Sequence, residues 1–137
     1  MMQAKDPARP PRSPGTVSLT ELASTDPNAT RSFLEKVFDW KFETVRMSQG
    51  DYLTHSSISG SGVGIRPTRS HETPTSLNYV LVSDLDEAER KVREMHGEIV
   101  LPRTDIPGMG SFFWFRAPGG PVMACWRDAP QGPARER

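Results

Sequence analysis

The sequence predicts an α+β fold built from two tandem modules, each with a strand, a helix and three further strands. Residues 17–26 resemble residues 75–84, which lie 58 positions later, and both runs are strand-like and close on Asp. A helical pattern follows each run at once, and three short strand-like runs follow each helix. Because one such unit cannot bury its own apolar face, the repeat indicates two copies of one supersecondary unit.

The first module begins with a strand over residues 16–24, followed by Asp26 as a helix cap and Pro27 in the first helical turn. Apolar residues at three- and four-residue spacing then predict one buried helix stripe, formed by Ala29, Phe33, Leu34, Val37 and Phe38. Asp39 ends this helix. Three strands are predicted next, over residues 41–47, 51–58 and 62–66.

The second module repeats this order after a polar linker over residues 67–74. A strand over residues 75–82 leads to the cap residue Asp84, and the helix stripe consists of Leu85, Ala88, Val92 and Met95. Gly97 occupies the position of Asp39, and both residue types tolerate the left-handed conformation that ends helices. The remaining strands are predicted over residues 98–103, 110–116 and 121–126.

These elements predict a single domain over residues 16–127, with module one over residues 16–66 and module two over residues 75–127. The flanking segments are rich in proline and poor in apolar residues. Residues 1–15 and 128–137 are therefore expected to be disordered tails.

Charge and composition argue against several classes of partner. Seventeen basic and seventeen acidic residues give no formal net charge, which is unlike a protein that binds nucleic acid. The sequence has no long apolar run and no apolar leader, so a membrane partner is not expected. The single Cys125 cannot form an internal disulfide, and a cytoplasmic location is the default expectation.

Several short motifs share their order with one known superfamily. They are residues 21–27, 37–40, 102–110 and 118–120, together with Phe33, Tyr79, Asp84 and Gly97. In this order, and with the internal repeat, the chain resembles the vicinal oxygen chelate superfamily, which includes glyoxalase I, bleomycin-resistance proteins and extradiol dioxygenases. The resemblance implies curled mixed sheets that enclose a cavity, helices on the outside, and a homodimer.

The positions of the superfamily's metal ligands depart from its pattern. Metal-dependent members place His or Gln in the first strand of each module and a carboxylate in the last strand. The matching positions here hold Leu19, Leu77 and Ala124, and the fourth lies within residues 63–66, where no His, Asp or Glu occurs. Leucine and alanine supply no donor atom to a metal. No metal and no other cofactor is therefore expected.

If Leu19 and Leu77 face the cavity, the two-residue period of a strand places their alternate neighbours there as well. The predicted ligand-binding residues are Leu19, Glu21, Leu77, Tyr79, Phe113, Phe115, Val122 and Trp126. Which rings of the aromatic strand over residues 110–116 face the cavity stays open. A largely apolar wall is typical of a small-molecule pocket, although the same side chains would also serve to fill a core.

Glu21 and its repeat equivalent Tyr79 are the candidate catalytic residues. A carboxylate on an inward face needs a partner, and Tyr79 is the predicted one. The pair is suited to acid–base chemistry, and Glu21 alone to holding an amine of the ligand. A structural hydrogen bond at the sheet centre, or a position at an exposed edge, would equally explain Glu21.

The predicted function is a metal-independent small-molecule-binding protein of the glyoxalase/bleomycin-resistance type, which holds an apolar or aromatic ligand. The alternative is an enzyme: a lyase or isomerase that uses Glu21 and Tyr79, or a dioxygenase-like enzyme with an unconventional metal site that includes Glu21 and His55. A structural or regulatory dimer with a filled core is the third possibility.

Overall fold

The computed structural model describes residues 13–47, 50–56 and 61–130. Along the chain the elements are β1 (Val17–Ser24), α1 (Pro27–Phe38), β2 (Glu43–Met47), β3 (Gly50–Ser56), β4 (Gly62–Pro67), β5 (Thr75–Leu81), α2 (Leu85–Glu94), β6 (Glu98–Ile106), β7 (Gly110–Arg116) and β8 (Val122–Asp128). The predicted α+β class, with the order βαβββ occurring twice, is confirmed. The chain divides into two compact units, one over Val17–Asn78 and one that combines Ser13–Thr16 with the described residues from Tyr79 onward.

The first unit contains a mixed sheet with the strand order β2-β3-β4-β1. β1 pairs with β4 in parallel, and the other neighbours are antiparallel. Its core lies between this sheet and α1, where Phe42, Leu53 and Ile65 are buried and Leu34 of α1 packs on them. Leu53 and Ile65 point to the same side of their paired strands, so this sheet face is apolar and meets the helix.

The second unit has the equivalent strand order β5-β8-β7-β6, with β5 and β8 parallel. Leu85 of α2, Phe113 of β7 and Cys125 of β8 form its buried core. Burial raises the pKa of the Cys125 thiol to about 11, so the thiol is neutral at physiological pH. Cys125 acts here as a small apolar residue under the helix.

Both helices begin as the sequence predicts. The Asp26 carboxylate accepts a hydrogen bond from the Ala29 backbone N–H at 3.1 Å. The Asp84 carboxylate accepts one from the Glu87 backbone N–H at 3.0 Å. Each aspartate thus satisfies one of the N–H groups that have no partner within the helix.

The helix ends differ from each other. Asp39 ends α1 in the left-handed conformation with φ 59°, as predicted. In α2 the left-handed residue is His96, with φ 70°, and Gly97 follows it with an ordinary φ. Gly97 is needed for another reason, because a Cβ there would lie 2.8 Å from Cγ1 of Val92.

The predicted buried stripe of α1 is only partly correct. Leu34 packs in the core, but Phe33 is 66% exposed and Val37 and Phe38 are each 54% exposed. The stripe spans a wider arc of the helix than the sheet covers, so Phe33 and Val37 lie beyond the contact. α1 therefore presents apolar side chains to solvent.

Two strand boundaries differ from prediction for local reasons. β2 begins at Glu43 rather than 41, because the Phe42 backbone N–H donates to the Glu35 carboxylate at 2.9 Å. β6 continues to Ile106, with register shifts on both sides of Leu101. Pro102, which follows Leu101, has no N–H with which to continue the ladder.

Both predicted tails have ordered inner ends. Gly15 N–H donates to Leu81 O, and Leu81 N–H donates to Thr16 O, each at 2.8 Å. At the other end, Ala129 N–H donates to Met109 O at 2.9 Å. The remainder of the predicted tails, residues 1–12 and 131–137, lies outside the described residues. Within the part of the chain that is described, neither helix has the length and apolar character to cross a membrane.

Candidate functional site

One face of the first unit's sheet carries a cluster of polar side chains. Ile65 of β4 packs under α1, so its neighbours Gly64 and Arg66 lie on the opposite face. Glu21 of β1 pairs with Gly64 in register, and Tyr52 of β3 lies beside them. This face is the one that sequence periodicity assigns to Glu21.

Glu21 is a buried carboxylate that accepts strong hydrogen bonds. The Tyr52 hydroxyl donates to Oε2 at 2.9 Å, and Arg66 Nε donates to Oε1 at 2.8 Å. The side chains of Glu21 and Arg66 are only 8% and 12% exposed. The ion pair offsets the desolvation that burial of each charge entails.

Arg66 also binds a second carboxylate, that of Glu72 in the segment between β4 and β5. Its Nη1 and Nη2 donate to the two Glu72 oxygens at 2.7 and 2.9 Å, a bidentate pair. The Arg69 backbone N–H adds a bond to Glu72 Oε1 at 2.8 Å. The hydrogen bond from Arg66 lowers the pKa of Glu72. Burial alone would lower the pKa of Arg66, but its bonds to Glu72 and Glu21 raise it above the usual value.

Gly64 makes room for this cluster. A Cβ at Gly64 would overlap the Tyr52 hydroxyl oxygen and lie 2.5 Å from Cζ of the same ring. The tyrosine therefore lies directly over the glycine, with its hydroxyl in reach of Glu21. Any side chain at this position would displace the ring.

Metal-dependent members of the superfamily that this chain resembles have four ligand positions. The pairing of β1 with β4 identifies the fourth of these positions here. Glu21 pairs with Gly64 as Tyr79 pairs with Ala124, so Gly64 is the first-unit equivalent of Ala124. The four positions are thus Leu19, Gly64, Leu77 and Ala124. None of these side chains carries a nitrogen, oxygen or sulfur donor, and the residues present do not fit a metal ion there.

His55 does not join Glu21 in an alternative metal site. Its ring stacks on Trp40 with centroids 4.8 Å apart, and its Nδ1 lies 3.0 Å from Lys41 O. That position is on the α1 side of the sheet, opposite to Glu21, so the predicted combination of the two is wrong. Among residues 13–47, 50–56 and 61–130, no three His, Cys, Asp or Glu side chains are grouped to hold a metal.

In the second unit, four rings lie together on the sheet face opposite to α2, and we call them the aromatic face: Tyr79, Phe112, Trp114 and Trp126. Trp114 Nε1 donates to the Tyr79 hydroxyl at 3.1 Å. Phe112 and Trp126 stack at 19° with centroids 6.1 Å apart. Trp126 is half-buried and the other three rings are buried. Trp126 is thus the most accessible ring of the face.

The predicted placement of Phe113 and Phe115 on the ligand side is wrong. Phe113 is fully buried in the cluster under α2, and Phe115 packs on the same cluster. Phe113 pairs with Cys125, whereas Phe112 pairs with Trp126. This pairing of β7 with β8 places Phe112 and Trp114 on the ligand side, and the sequence alone does not supply it.

The other predicted ligand-binding residues lie on β1, β5 and β8. Val122 is half-buried on the same face of β8 as Trp126. Leu19 shares a face of β1 with Glu21, and Leu77 is buried on β5. Glu21 and Tyr79 belong to different units, and each has hydrogen bonds within its own unit.

Tyr52, Arg66 and Glu72 were not identified from the sequence. Arg66 lies two residues after Gly64 on β4 and therefore on the same face of the strand. Strand period could thus have identified Arg66 as the partner that Glu21 needs. Glu72 lies in a connecting segment, where strand period gives no orientation.

No protein-family model matches the chain. The protein CFP32 of Mycobacterium bovis, which is named as a glyoxylase, is 24% identical over 119 residues that cover 82% of this chain and 46% of CFP32. The anthracycline biosynthesis protein DnrV of Streptomyces peucetius is 25% identical over 133 residues, covering 83% and 47% of the two chains. The chain thus spans about half the length of these curated relatives.

Solved structures show the same fold at low sequence identity. A glyoxalase/bleomycin resistance protein/dioxygenase superfamily member from Vibrio splendidus has a TM-score of 0.62 and 16% identity, covering 81% of this chain and 97% of its own. A methylmalonyl-CoA epimerase from Streptomyces coelicolor has a TM-score of 0.67 and 11% identity, covering 86% and 100%. The chain has the fold of the vicinal oxygen chelate superfamily.

Proposed function

We propose that the chain is a metal-independent small-molecule-binding protein of the glyoxalase/bleomycin-resistance type, and that its ligand is apolar or aromatic. The aromatic face of the second unit is the observation that supports this most directly. Trp126 is the accessible ring and stacks on the buried Phe112, and the Tyr79 hydroxyl is already bonded to Trp114. Planar aromatic ligands bind to such faces by offset stacking.

Two further observations support the proposal. The superfamily's donor positions hold Leu19, Gly64, Leu77 and Ala124, which suit an apolar ligand better than a metal. The relative DnrV is named for anthracycline biosynthesis, and anthracyclines are planar aromatic compounds.

A panel of aromatic natural products, anthracyclines among them, tests the proposal by thermal shift and tryptophan fluorescence. A ligand that binds only the folded state should raise the melting temperature in a saturable manner. Trp126→Ala should abolish the shift, whereas Phe33→Ala, which removes an exposed ring of α1, should leave it unchanged. A well-folded protein that binds no member of a broad panel would refute the proposal.

A second candidate is a lyase or isomerase that uses Glu21 and Tyr79 for acid–base chemistry. The burial of Glu21 on the sheet face away from α1 favours it. Against it, the carboxylate is held by Arg66 and Tyr52. Glu21→Gln with unchanged turnover of a substrate that the wild-type chain converts would exclude this role.

We further propose a cytoplasmic homodimer without a nucleic-acid partner, in line with zero formal net charge. Sedimentation of the purified protein over a range of concentrations tests the dimer, and a monomer at every concentration would contradict it.

A further inference from the structure

Arg66 is bonded to two carboxylates that are held in different ways. Glu21 belongs to β1 inside the sheet and is also bonded to Tyr52. One carboxylate is enough to balance the arginine charge, so the second gives the group of three a net negative charge. Glu72, whose side chain is 18% exposed, is the more accessible of the two.

Glu72 reaches Arg66 from a short turn rather than from a strand or helix. The turn is closed by Glu72 N–H, which donates to Arg69 O at 3.0 Å. His71 within it has φ 65°, a conformation that is unfavourable for a residue with a side chain. The contact thus joins a turn outside the sheet to a strand that is paired on both sides, so displacing Glu72 from Arg66 breaks no strand pairing.

The two Nη groups of Arg66 form the planar fork by which arginine recognises carboxylates of any origin. Its Nε is bonded separately to Glu21, so the arginine stays anchored when the fork changes partner. A ligand carboxylate in place of Glu72 would leave the same number of charges around the guanidinium.

We propose that the Arg66 fork is a binding site for the carboxylate of a small-molecule anion, and that Glu72 is a built-in competitor which the anion displaces. The site lies wholly in the first unit and does not depend on ligand binding at the aromatic face. Glu72 then lowers the affinity of Arg66 for the anion, since the anion must replace a bidentate pair that is already formed.

Acetate, with acetamide as its neutral isostere, is a suitable probe. Binding is followed by NMR through the Nε–H resonance of Arg66 in the wild type, in Glu72→Gln and in Glu72→Ala. Both variants should bind acetate at least about tenfold more tightly than the wild type, because acetate no longer has to displace the charge-assisted pair between Arg66 and Glu72. Neither variant should bind acetamide. Glu89→Ala, which removes the exposed partner of Arg93 in α2, is the matched control and should behave as the wild type.

Equal acetate affinity in the wild type and both Glu72 variants would overturn the proposal. Equal affinity for acetate and acetamide would also overturn it, because binding at the Arg66 fork would then not depend on the charge of the ligand. Failure of both variants to fold would count against it as well, since exchange requires that the fold survive without the Glu72 contact.

Discussion

Gly64 shows how a single missing side chain determines the polar cluster of the first unit. It lies under the Tyr52 ring, and that ring reaches Glu21 only because no Cβ intervenes. Arg66 follows two residues later on the same face and supplies the charge that Glu21 needs when buried. The cluster is therefore a property of alternate positions on β4.

Gly64→Ala should destabilise the protein by about 1–3 kcal/mol, because the Tyr52 ring must move and its hydrogen bond to Glu21 is lost. Urea unfolding measures the change. Gly62→Ala is the matched control, since a Cβ there meets its nearest neighbours at ordinary distances of 3.4 and 3.5 Å. An equal loss in both variants would show that Tyr52 is not the cause.

Glu72 should make stability depend on pH in the acid range. Its hydrogen bond from Arg66 lowers its pKa below the ordinary 4.5, so it contributes stability above that value. This contribution is lost as the pH falls through the lower, folded-state pKa. In the wild type, the free energy of unfolding should therefore fall as the pH is lowered, and part of this fall should be absent in Glu72→Gln. Urea unfolding at a series of pH values measures the difference. Identical pH profiles would contradict the assignment.

At the scale of elements, the two helices cover their sheets unequally. α2 buries Leu85 and exposes mainly charged residues, with ion pairs such as Arg90 to Glu94 along its outer side. α1 has no buried residue and exposes Phe33 and Val37. Apolar spacing predicts both helices, but it does not report how much of each stripe the sheet covers.

Within α1, Leu34→Ala should cost about 2 kcal/mol or more, because Leu34 packs on the core of the first unit. Phe33→Ala should change the free energy of unfolding by less than about 0.5 kcal/mol, because that ring is already exposed. Chemical denaturation of the pair measures the difference. If Phe33→Ala is the more costly change, its ring is covered in solution.

The two faces of β7 have different neighbours, since Phe113 lies in the core under α2 and Phe112 stacks on Trp126 of β8. Phe113→Ala should destabilise the protein by about 3–5 kcal/mol, since the ring is fully buried under α2. Trp126→Ala on the neighbouring strand should cost less, because its ring is half-buried. The same denaturation measurement compares them, and a larger loss from Trp126→Ala would contradict the assignment of faces.

At the scale of the whole molecule, the sequence was sufficient to predict the order of helices and strands. It was insufficient to predict which way particular side chains point. The repeat predicted every helix and strand, because caps and periodicity act locally. Phe113 was misplaced because β7 is aromatic on both faces, so composition does not distinguish them. Glu72 was missed because its contact with Arg66 depends on the path of a connecting turn.

The purified protein should contain far less than one equivalent of metal, since the four donor positions hold Leu19, Gly64, Leu77 and Ala124. Elemental analysis checks the content, and a chelator should leave the melting temperature unchanged. A stoichiometric metal whose removal lowers that temperature would show that other residues bind it.

The hydrogen bonds between Gly15, Thr16 and Leu81 have a consequence for synthesis. Ser13–Thr16 belongs with the second unit although it precedes Val17–Asn78 in the chain, so Val17–Asn78 is an insertion within the second unit. On the ribosome this short segment emerges long before its partner strand. The second unit can close only after the inserted chain has been made, and this long-range closure is expected to come late in folding.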